Sequence, residues 1–454
     1  MFKYKIFDFI FKSITLKRIT IFLIGIICIT NAYSQNTQKI DLRQAIDLTL
    51  ANNLQIKQAA FQAAISDENF KQSRFEQLPS VDANASATRQ FGLFFDQQSG
   101  QLLNSTVDQV NGRLSSSIPL FRGFTILNQI KQNKNLLLSD KSNVEKIKND
   151  LSLSVVNTYL QILTNKDLIV ASQQQLELSN NQLSVADKRF KVGNNTLADL
   201  AQAKAQLATN QLNVTNAQNA YDQAILNLQQ LMEVDTETNI EVVPPLVADL
   251  SLIAEYKSKE IFDQAVKVFP DVVLAQYNTE AQKYTAKVAK GRLYPSLSFG
   301  GGINTGYTSN IPVSFQDQIT NRNFGQSLGF NLSIPIFSNY QLRAGYNIAK
   351  IRLEDARNTE QLAKNNLNKI INQAVLDLRA AQTRFLATQS ALESSTEVFN
   401  VNKKRYDVGL VNSIELNVAQ TAFNKAQFDL IQAKYDLLFR GKVIDFYLGK
   451  PLAL

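Results

Sequence analysis

Two periods of apolar residues alternate along this chain, and the changes between them divide it into elements. Over residues 200–231, and again over 416–447, apolar residues recur in alternating steps of three and four. A heptad seam of this kind predicts helices that pack as coiled coils. Residues 120–243 and 336–450 contain no proline, which would interrupt a helix, so these stretches can form helices of unusual length. A lone amphipathic helix on a globular core is the alternative, but it would not need so regular a seam twice.

The period falls to two in a pair of segments that prolines border. Small polar residues alternate there with apolar ones over runs of about ten residues, the length of a strand that crosses a membrane. We therefore predict two β-hairpins, 80–121 and 296–337, with loops near 95–107 and 307–323. The prolines expected to mark the barrel boundary are Pro79, Pro119, Pro295 and Pro335. Four strands cannot close a barrel with an open lumen, so further copies of the chain are needed, unless the hairpins are soluble and half-buried on the helices.

An internal duplication explains why both patterns occur twice. Three sequence matches have the same offset of 216 residues: Leu78-Pro79-Ser80 with Tyr294-Pro295-Ser296, Ser117-Ile118-Pro119 with Ser333-Ile334-Pro335, and Arg189-Phe190-Lys191-Val192-Gly193 with Arg405-Tyr406-Asp407-Val408-Gly409. The first repeat is predicted to span 35–233 and the second 251–454, with 234–250 as a linker. Each consists of a helix, the hairpin, a long helix and a further helix. The last two helices of each repeat are predicted at 124–190 and 196–232, and at 340–406 and 412–448.

Composition removes most enzyme chemistry. The chain has no His, no Trp and one Cys, which excludes triads with an imidazole base, His-ligated metal sites and an internal disulfide. The glycine triplet at 300–302 lacks the lysine of a phosphate-binding loop. We therefore expect no enzyme activity, no cofactor and no bound metal.

The first 34 residues have the layout of a secretory signal peptide. Basic residues precede an apolar run at 19–30, and small residues follow it. A permanent membrane anchor is the alternative, but it would need about twenty apolar residues. Cleavage would remove five basic residues and Asp8, which leaves 42 basic against 38 acidic residues. An excess so small and scattered does not predict nucleic-acid binding.

The most specific motifs are Arg-Phe-x-Val-Gly at 189–193 followed by Asp199, and Arg-Tyr-x-Val-Gly at 405–409 followed by Glu415. Together with the Leu-Pro-Ser and Ser-Ile-Pro-Leu-Phe strand borders, they resemble the outer membrane factor family, the TolC-like efflux ducts of Gram-negative bacteria. The resemblance covers essentially the whole mature chain. It implies a mainly α fold with transmembrane β-strands. Three chains would form a homotrimer with one twelve-stranded barrel in the lipid of the outer membrane, continued by a coiled-coil helical barrel in the periplasm.

The same resemblance implies a function. The chain would be the passive exit duct of a tripartite efflux or export system, joined by a periplasmic adaptor, or membrane fusion protein, to a proton-driven or ATP-driven inner membrane transporter. The outer membrane component of a type I protein secretion system is the alternative within the family. Outside it, the candidates are a periplasmic coiled-coil adaptor and a structural adhesin. An adaptor usually places one hairpin inside a split β-domain, whereas here the strands lie inside the helical repeat, twice.

The resemblance also assigns roles at the periplasmic tip. It places Asp199, Glu415 and Tyr406 at the gate that closes the duct. It assigns adaptor docking to Arg189, Val192, Gly193, Arg405, Val408 and Gly409. Without the resemblance, the two glycines need only end their helices, and the two acids need only be solvated helix charges.

The chain departs from some family members at the tip. They have an Arg two residues after the second-repeat glycine and a further Asp three residues after the second acid. Val411 and Val418 occupy these positions here. We therefore expect the closing network to differ and any cation preference at the mouth to be weaker.

Overall fold

The computed structural model describes residues 38–96, 99–244, 256–450 and 452. The predicted signal peptide and residues 245–250 of the predicted linker lie outside these ranges. The first repeat contains β1 (Gln38–Ile40), α1 (Leu42–Asn52), α2 (Leu54–Phe75), β2 (Ser80–Asp96), β3 (Gln101–Arg122), α3 (Thr125–Lys191), α4 (Leu197–Met232) and β4 (Ile240–Val242). The second contains α5 (Ser258–Val268), α6 (Pro270–Gly291), β5 (Ser296–Thr308), β6 (Gly325–Ser333), α7 (Gln341–Asp407) and α8 (Ser413–Tyr447).

The two hairpins join into one antiparallel sheet with the strand order β2-β3-β5-β6. β2 is 17 residues long and pairs with β3 along its whole length, whereas β6 has 9 residues. The loop predicted at 95–107 is therefore wrong, because residues 101–107 belong to β3 and pair with β2. The connection in the second hairpin contains a short helix, Phe315–Asp317, that continues into a π-helical turn, Gln318–Arg322.

Two of the four prolines lie where a strand begins, and two do not mark a strand end. Pro79 and Pro295 directly precede β2 and β5. The expected boundary at Pro119 needs correction, because β3 continues to Arg122 with a register shift just after the proline. The pairing with β2 ends at Ser117, so from Ile118 onward β3 is held by its pairing with β5 alone. β6 pairs with β5 alone among the described strands and ends at Ser333, before Pro335 and four residues short of the predicted end.

The helices form a tube wall rather than a globular core. α3 and α7 each have 67 residues, or about 100 Å at the rise of an α-helix. α2 and α4 both pack on α3, and α6 and α8 both pack on α7. α6 also contacts α3, which joins the two repeats. None of the described helices is both long and apolar enough to cross a membrane.

The first helical arm is broken at Asn53. The side chain of Asn53 accepts a hydrogen bond from the N–H of Gln55 at 2.9 Å and so caps α2. Its amide also donates to the carbonyl of Leu231 near the end of α4, at 3.1 Å. In the second repeat, the same break has Phe269 at the cap and Pro270 in the first turn of α6. The break brings the start of α2 to the end of α4, so the two shorter helices follow one another along the long one.

A small core lies at this break. β1 and β4 pair in parallel, and the hydroxyl of Tyr159, in the middle of α3, donates to the carbonyls of Ile40 and Val243 at 3.2 and 2.7 Å. Tyr159 is 1% exposed. The assignment of 234–250 as a linker needs correction, because residues 240–242 within it form a strand that belongs to the core of the first repeat.

Candidate functional site

One face of the sheet is apolar and exposed. Phe330 and Leu328 on β6 are 71% and 81% exposed. The register places further apolar residues of the other strands on the same side, namely Leu114, Ile118, Leu297, Phe299 and Ile303. Since successive strand residues point to opposite faces, the other side carries small polar residues, including Ser115, Ser117, Ser298, Asn304 and Asn331. The sheet thus has an apolar face and a polar face.

An ion pair limits the apolar face. Arg89 and Asp108 lie opposite each other on β2 and β3, on the apolar side, with Nε and Oδ1 2.6 Å apart. A charge is costly within the hydrocarbon of a membrane. The pair therefore marks the edge of the surface that lipid tails can cover. The hairpin continues beyond it with Phe91 and Leu93, which are 76% and 70% exposed.

Each long helix ends in a glycine turn at the end remote from the sheet. Gly193 and Gly409 both have φ +80°, in the left-handed region. The N–H of Gly193 donates to the carbonyl of Phe190 at 3.0 Å, and that of Asn194 donates to Arg189 at 2.8 Å. Equivalent bonds form in the second repeat. A Cβ on either glycine would meet no atom within 4 Å, so the backbone angle alone accounts for the residue type.

Asp199 caps α4 and joins the repeats. One of its oxygens accepts from the N–H and the hydroxyl of Thr196 at 3.0 and 2.7 Å, and its own N–H donates to that hydroxyl at 3.1 Å. The other oxygen accepts from the hydroxyl of Ser413 at 2.5 Å. Hydrogen bonds from Ser413 and Thr196 hold the pKa of Asp199 below its ordinary value. The carboxylate is therefore ionised at neutral pH and connects α4 to the start of α8.

Glu415 holds the equivalent position in the second repeat but is not used in this way. Its N–H donates to the side-chain oxygen of Asn412 at 2.9 Å, which caps α8. Its carboxylate is exposed and makes no hydrogen bond or ion pair with the described residues. Asp199 and Glu415 thus hold equivalent positions in the sequence but have different contacts in the structure.

Arg189 fastens the end of α3 to the end of α7. Its guanidinium donates to the carbonyls of Tyr406 and Asp407 at 3.4 and 3.1 Å and lies 4.9 Å from the centre of the Tyr406 ring. A cation at the C-terminal carbonyls of a helix, and over an aromatic ring, is favourable on both counts. Its counterpart Arg405 is exposed and has no such contact within the described ranges.

Asp199 and Tyr406 both line a cavity of about 40 Å³ between the repeats, and Glu415 does not. Gln182 and Gln420 also line it. Gln420 is 1% exposed, and neither its amide atoms nor the Nε2 of Gln182 bond to the described protein. A space of this size and polarity can hold water. Neither glutamine stands out in the sequence, because both look like ordinary polar residues of a helix.

Comparison with known proteins identifies the architecture. The family model for outer membrane efflux proteins matches residues 45–233 and 261–449, one match in each repeat. The chain belongs to the outer membrane efflux protein family. The two matches begin at residues 45 and 261, which reproduces the 216-residue offset of the duplication. As a member of this family, it is an exit duct of the Gram-negative outer membrane, with its helical tube in the periplasm.

Individual members of the family align with most of the chain. The outer membrane protein TolC of Escherichia coli K12 is 23% identical over 450 residues, which cover 96% of this chain and 87% of TolC. The alkaline protease secretion protein AprF of Pseudomonas aeruginosa is 22% identical over 355 residues, or 75% of this chain and 70% of AprF. The crystal structure of VceC from Vibrio cholerae superimposes with a TM-score of 0.77 at 18% identity, covering 90% of this chain and 96% of that one.

Acid should loosen the tip of this efflux protein. Because the folded pKa of Asp199 is lowered, its cap stabilises the fold fully above the unfolded value of about 3.9, and the stabilisation is lost as the pH falls below that value, through the folded pKa. Protection of the first turn of α4 from hydrogen exchange, expressed relative to the intrinsic exchange rate at each pH, should therefore fall as the pH is lowered below about 4. Asp199→Asn should exchange fast already at neutral pH, whereas Glu415→Gln should behave as the unmodified chain. Protection that does not change with pH in the unmodified chain would contradict this role.

Proposed function

We propose that three copies of this outer membrane efflux protein form one continuous duct through the outer membrane and the periplasm. The observation that carries the proposal is a four-stranded sheet with an exposed apolar face and two open edges, β2 and β6. In lipid, each unpaired edge group costs several kcal/mol, so β6 of one copy pairs with β2 of the next. Twelve strands enclose a wider lumen than the eight-stranded barrels that side chains fill.

The chemistry of the inner side fits a passive duct. The polar face of the sheet presents serine and asparagine side chains, which hydrogen-bond to passing solutes without holding ions as charges do. A wetted lumen of this kind suits many substrates and selects none. The energy for transport comes from the inner membrane transporter in this proposal, and the duct supplies the path.

Two measurements test the duct. Protein extracted from outer membranes should have the mass of three chains, and it should conduct ions across planar lipid bilayers. A monomer in the periplasmic fraction would contradict the proposal, as would a trimer that never conducts.

The tip is the surface for a periplasmic adaptor. Val192 and Val408, one in each glycine turn, are 70% and 72% exposed, and Leu410 is 71% exposed. Apolar side chains left open at the ends of long polar helices are typical of a docking surface. Arg405 and the two glycine turns extend this surface. Arg189 supports it from behind, because its guanidinium is occupied by α7.

Cross-linking from these positions identifies the partners. A photoreactive residue in place of Val408 should capture an adaptor, and the co-purified transporter distinguishes a proton-driven pump from an ATP-driven one. The similarity to AprF favours a type I secretion role as the second candidate, which an ATP-driven partner would support. The same probe in place of the exposed Asp222, in the half of α4 remote from the tip, is the control and should capture less.

We further propose that Asp199 and Glu415 contribute to the gate, with Tyr406 holding the closed state. Asp199→Ala combined with Glu415→Ala should change the conductance and weaken block by divalent cations. Loss of a part-exposed, charge-assisted bond of about 1 kcal/mol should shift the ratio of closed to open tips roughly fivefold. Asp222→Ala, on the same helix as Asp199, should change neither property. Currents and block equal to those of the unmodified chain would remove both acids from the gate.

A further inference from the structure

At the tip, the two repeats of one chain meet around the small cavity lined by Asp199, Tyr406 and Gln420, which we call the internal joint. A counterpart of this joint lies between neighbouring protomers. We propose that Glu415 of one copy forms an ion pair there with Lys204 of the next, beside an apolar contact through Val398 and Val418. The proposal rests on the trimeric duct described above. The Glu415–Lys204 pair is a contact between chains that completes the tip and that a single chain cannot form.

The duplication supplies the rule for building this contact. A ring of three chains contains six helical hairpins, in which first and second repeats alternate. Each first repeat therefore has a second repeat on both sides, one in its own chain and one in a neighbour. Adding 216 to residues of the first repeat, and subtracting 216 from those of the second, converts the observed joint into the joint between copies.

The converted joint is apolar where the internal joint is polar. Gln182, which lines the internal cavity, becomes Val398, and Gln202, which also lines it, becomes Val418. In the single chain these valines are 51% and 66% exposed. Exposed valines in a coiled-coil wall are expected where another helix covers them, because burial of apolar surface stabilises the contact.

The hydroxyl that holds Asp199 is missing from the converted joint. Asp199 becomes Glu415, but its partner Ser413 becomes Leu197, which has no hydrogen-bonding side chain. Leu197 is 68% exposed in the single chain. Glu415 therefore needs a different partner from the neighbouring copy, and the described part of its own chain provides none.

Lys204 is that partner. Gln420 and Asp199 line the same small cavity, and subtraction of 216 converts Gln420 to Lys204. Lys204 is exposed and makes no hydrogen bond or ion pair with the described residues of its own chain. Two free and opposite charges thus meet at converted positions of one cavity. The side chains of Glu415 and Lys204 are longer than those of Asp199 and Ser413, so they can reach each other without the serine hydroxyl.

An aromatic contact survives the conversion. Arg189 lies over the ring of Tyr406 in the internal joint. The converted pair is Arg405, which is exposed, and Phe190, which is 37% exposed. A guanidinium over a phenyl ring retains the attraction that it has for tyrosine. The joint between copies therefore combines exposed valines, two opposite charges and a guanidinium beside an aromatic ring.

The contact has a consequence for the width of the tip. Six hairpins at a fixed spacing enclose the largest area when all six joints are alike, and any inequality narrows the ring. When Glu415 and Lys204 form their ion pair, the joints between chains resemble the internal joints between the two repeats of one chain. The pair therefore stabilises the wide form of the tip, while Glu415 without its partner faces the lumen of the narrow form.

A zero-length carbodiimide cross-link tests the contact, because it joins a lysine to a carboxylate that touches it. Trimers from outer membranes should give a peptide joined through Lys204 and Glu415, found in the band of linked chains. Lys146 and Asp271, 3.1 Å apart in two repeats of one chain, are the matched control and should link within the monomer band. Glu415→Gln should remove the first product and leave the second. Lys204→Glu combined with Glu415→Lys should restore it.

The outcomes separate the contact from the duct. Trimers that give the Lys146–Asp271 product but no Lys204–Glu415 product would overturn the contact and leave the duct intact. Absence of trimers from every membrane fraction would overturn the duct and the contact together. A Lys204–Glu415 product confined to the monomer band would also overturn the contact, since it would place both residues in one chain.

Discussion

Replacing Phe330 with arginine should prevent most of the protein from assembling in the outer membrane. Phe330 is 71% exposed on the apolar face, with its ring 4.9 Å from that of Phe299 on the neighbouring strand. An arginine on the lipid face of a barrel costs from about 1 kcal/mol near the interface to about 2–4 kcal/mol at the midplane, and the trimer carries three. The amount of heat-resistant trimer in outer membranes, compared by gel at equal expression, measures the effect.

Asn331→Arg is the matched control for this prediction. Asn331 is the next residue of β6, pairs with Ser298 and faces the polar side of the sheet. An arginine there points into water, so the trimer should form in nearly normal amount and only the current through it should change. Equal loss in both variants would show that β6 is sensitive to any bulky charge. Equal assembly in both would show that the apolar face does not meet lipid.

The sheet and the tube could be predicted from sequence because their signals are periodic. Apolar residues that alternate with serine and asparagine point to one face of a strand whatever the rest of the chain does, and heptad seams give long helices in the same way. The duplication doubled each signal. Features that periodicity does not predict, such as the position of a helix break, depend on single side chains. Asn53 breaks the first helical arm by bonding to Leu231, a partner 178 residues away.

The candidate site could be predicted in place but not in detail. The motifs located both glycine turns, whose left-handed backbone is a local property of the chain. They treated Asp199 and Glu415 as equivalents, and the structure shows that a neighbouring hydroxyl, Ser413, distinguishes them. The cavity beside Gln420 depends on four helices that meet only in the folded chain, so the sequence around any one of them carries no sign of it.

Gly291→Ala should destabilise the junction between the sheet and the tube. Gly291 ends α6, and a Cβ there would lie 2.5 Å from the carbonyl oxygen of Gly123 and 2.6 Å from a methyl carbon of Thr125. Gly123 has φ +58° and leads into α3, so its backbone cannot retreat without moving the long helix. Overpacking of this kind costs about 1–3 kcal/mol in each chain. The temperature at which trimers dissociate on gels should fall accordingly.

Gly345→Ala separates crowding from helix propensity. Gly345 also lies in a helix, α7, but a Cβ there would meet no atom within 4 Å. Alanine in an open helical position should stabilise the chain by about 1 kcal/mol, because glycine loses more backbone freedom on folding. Opposite shifts of the dissociation temperature in the two variants are therefore expected. A gain in both would mean that α6 moves away from Gly123 at little cost, and that the close approach of the two backbones does not hold the sheet onto the tube.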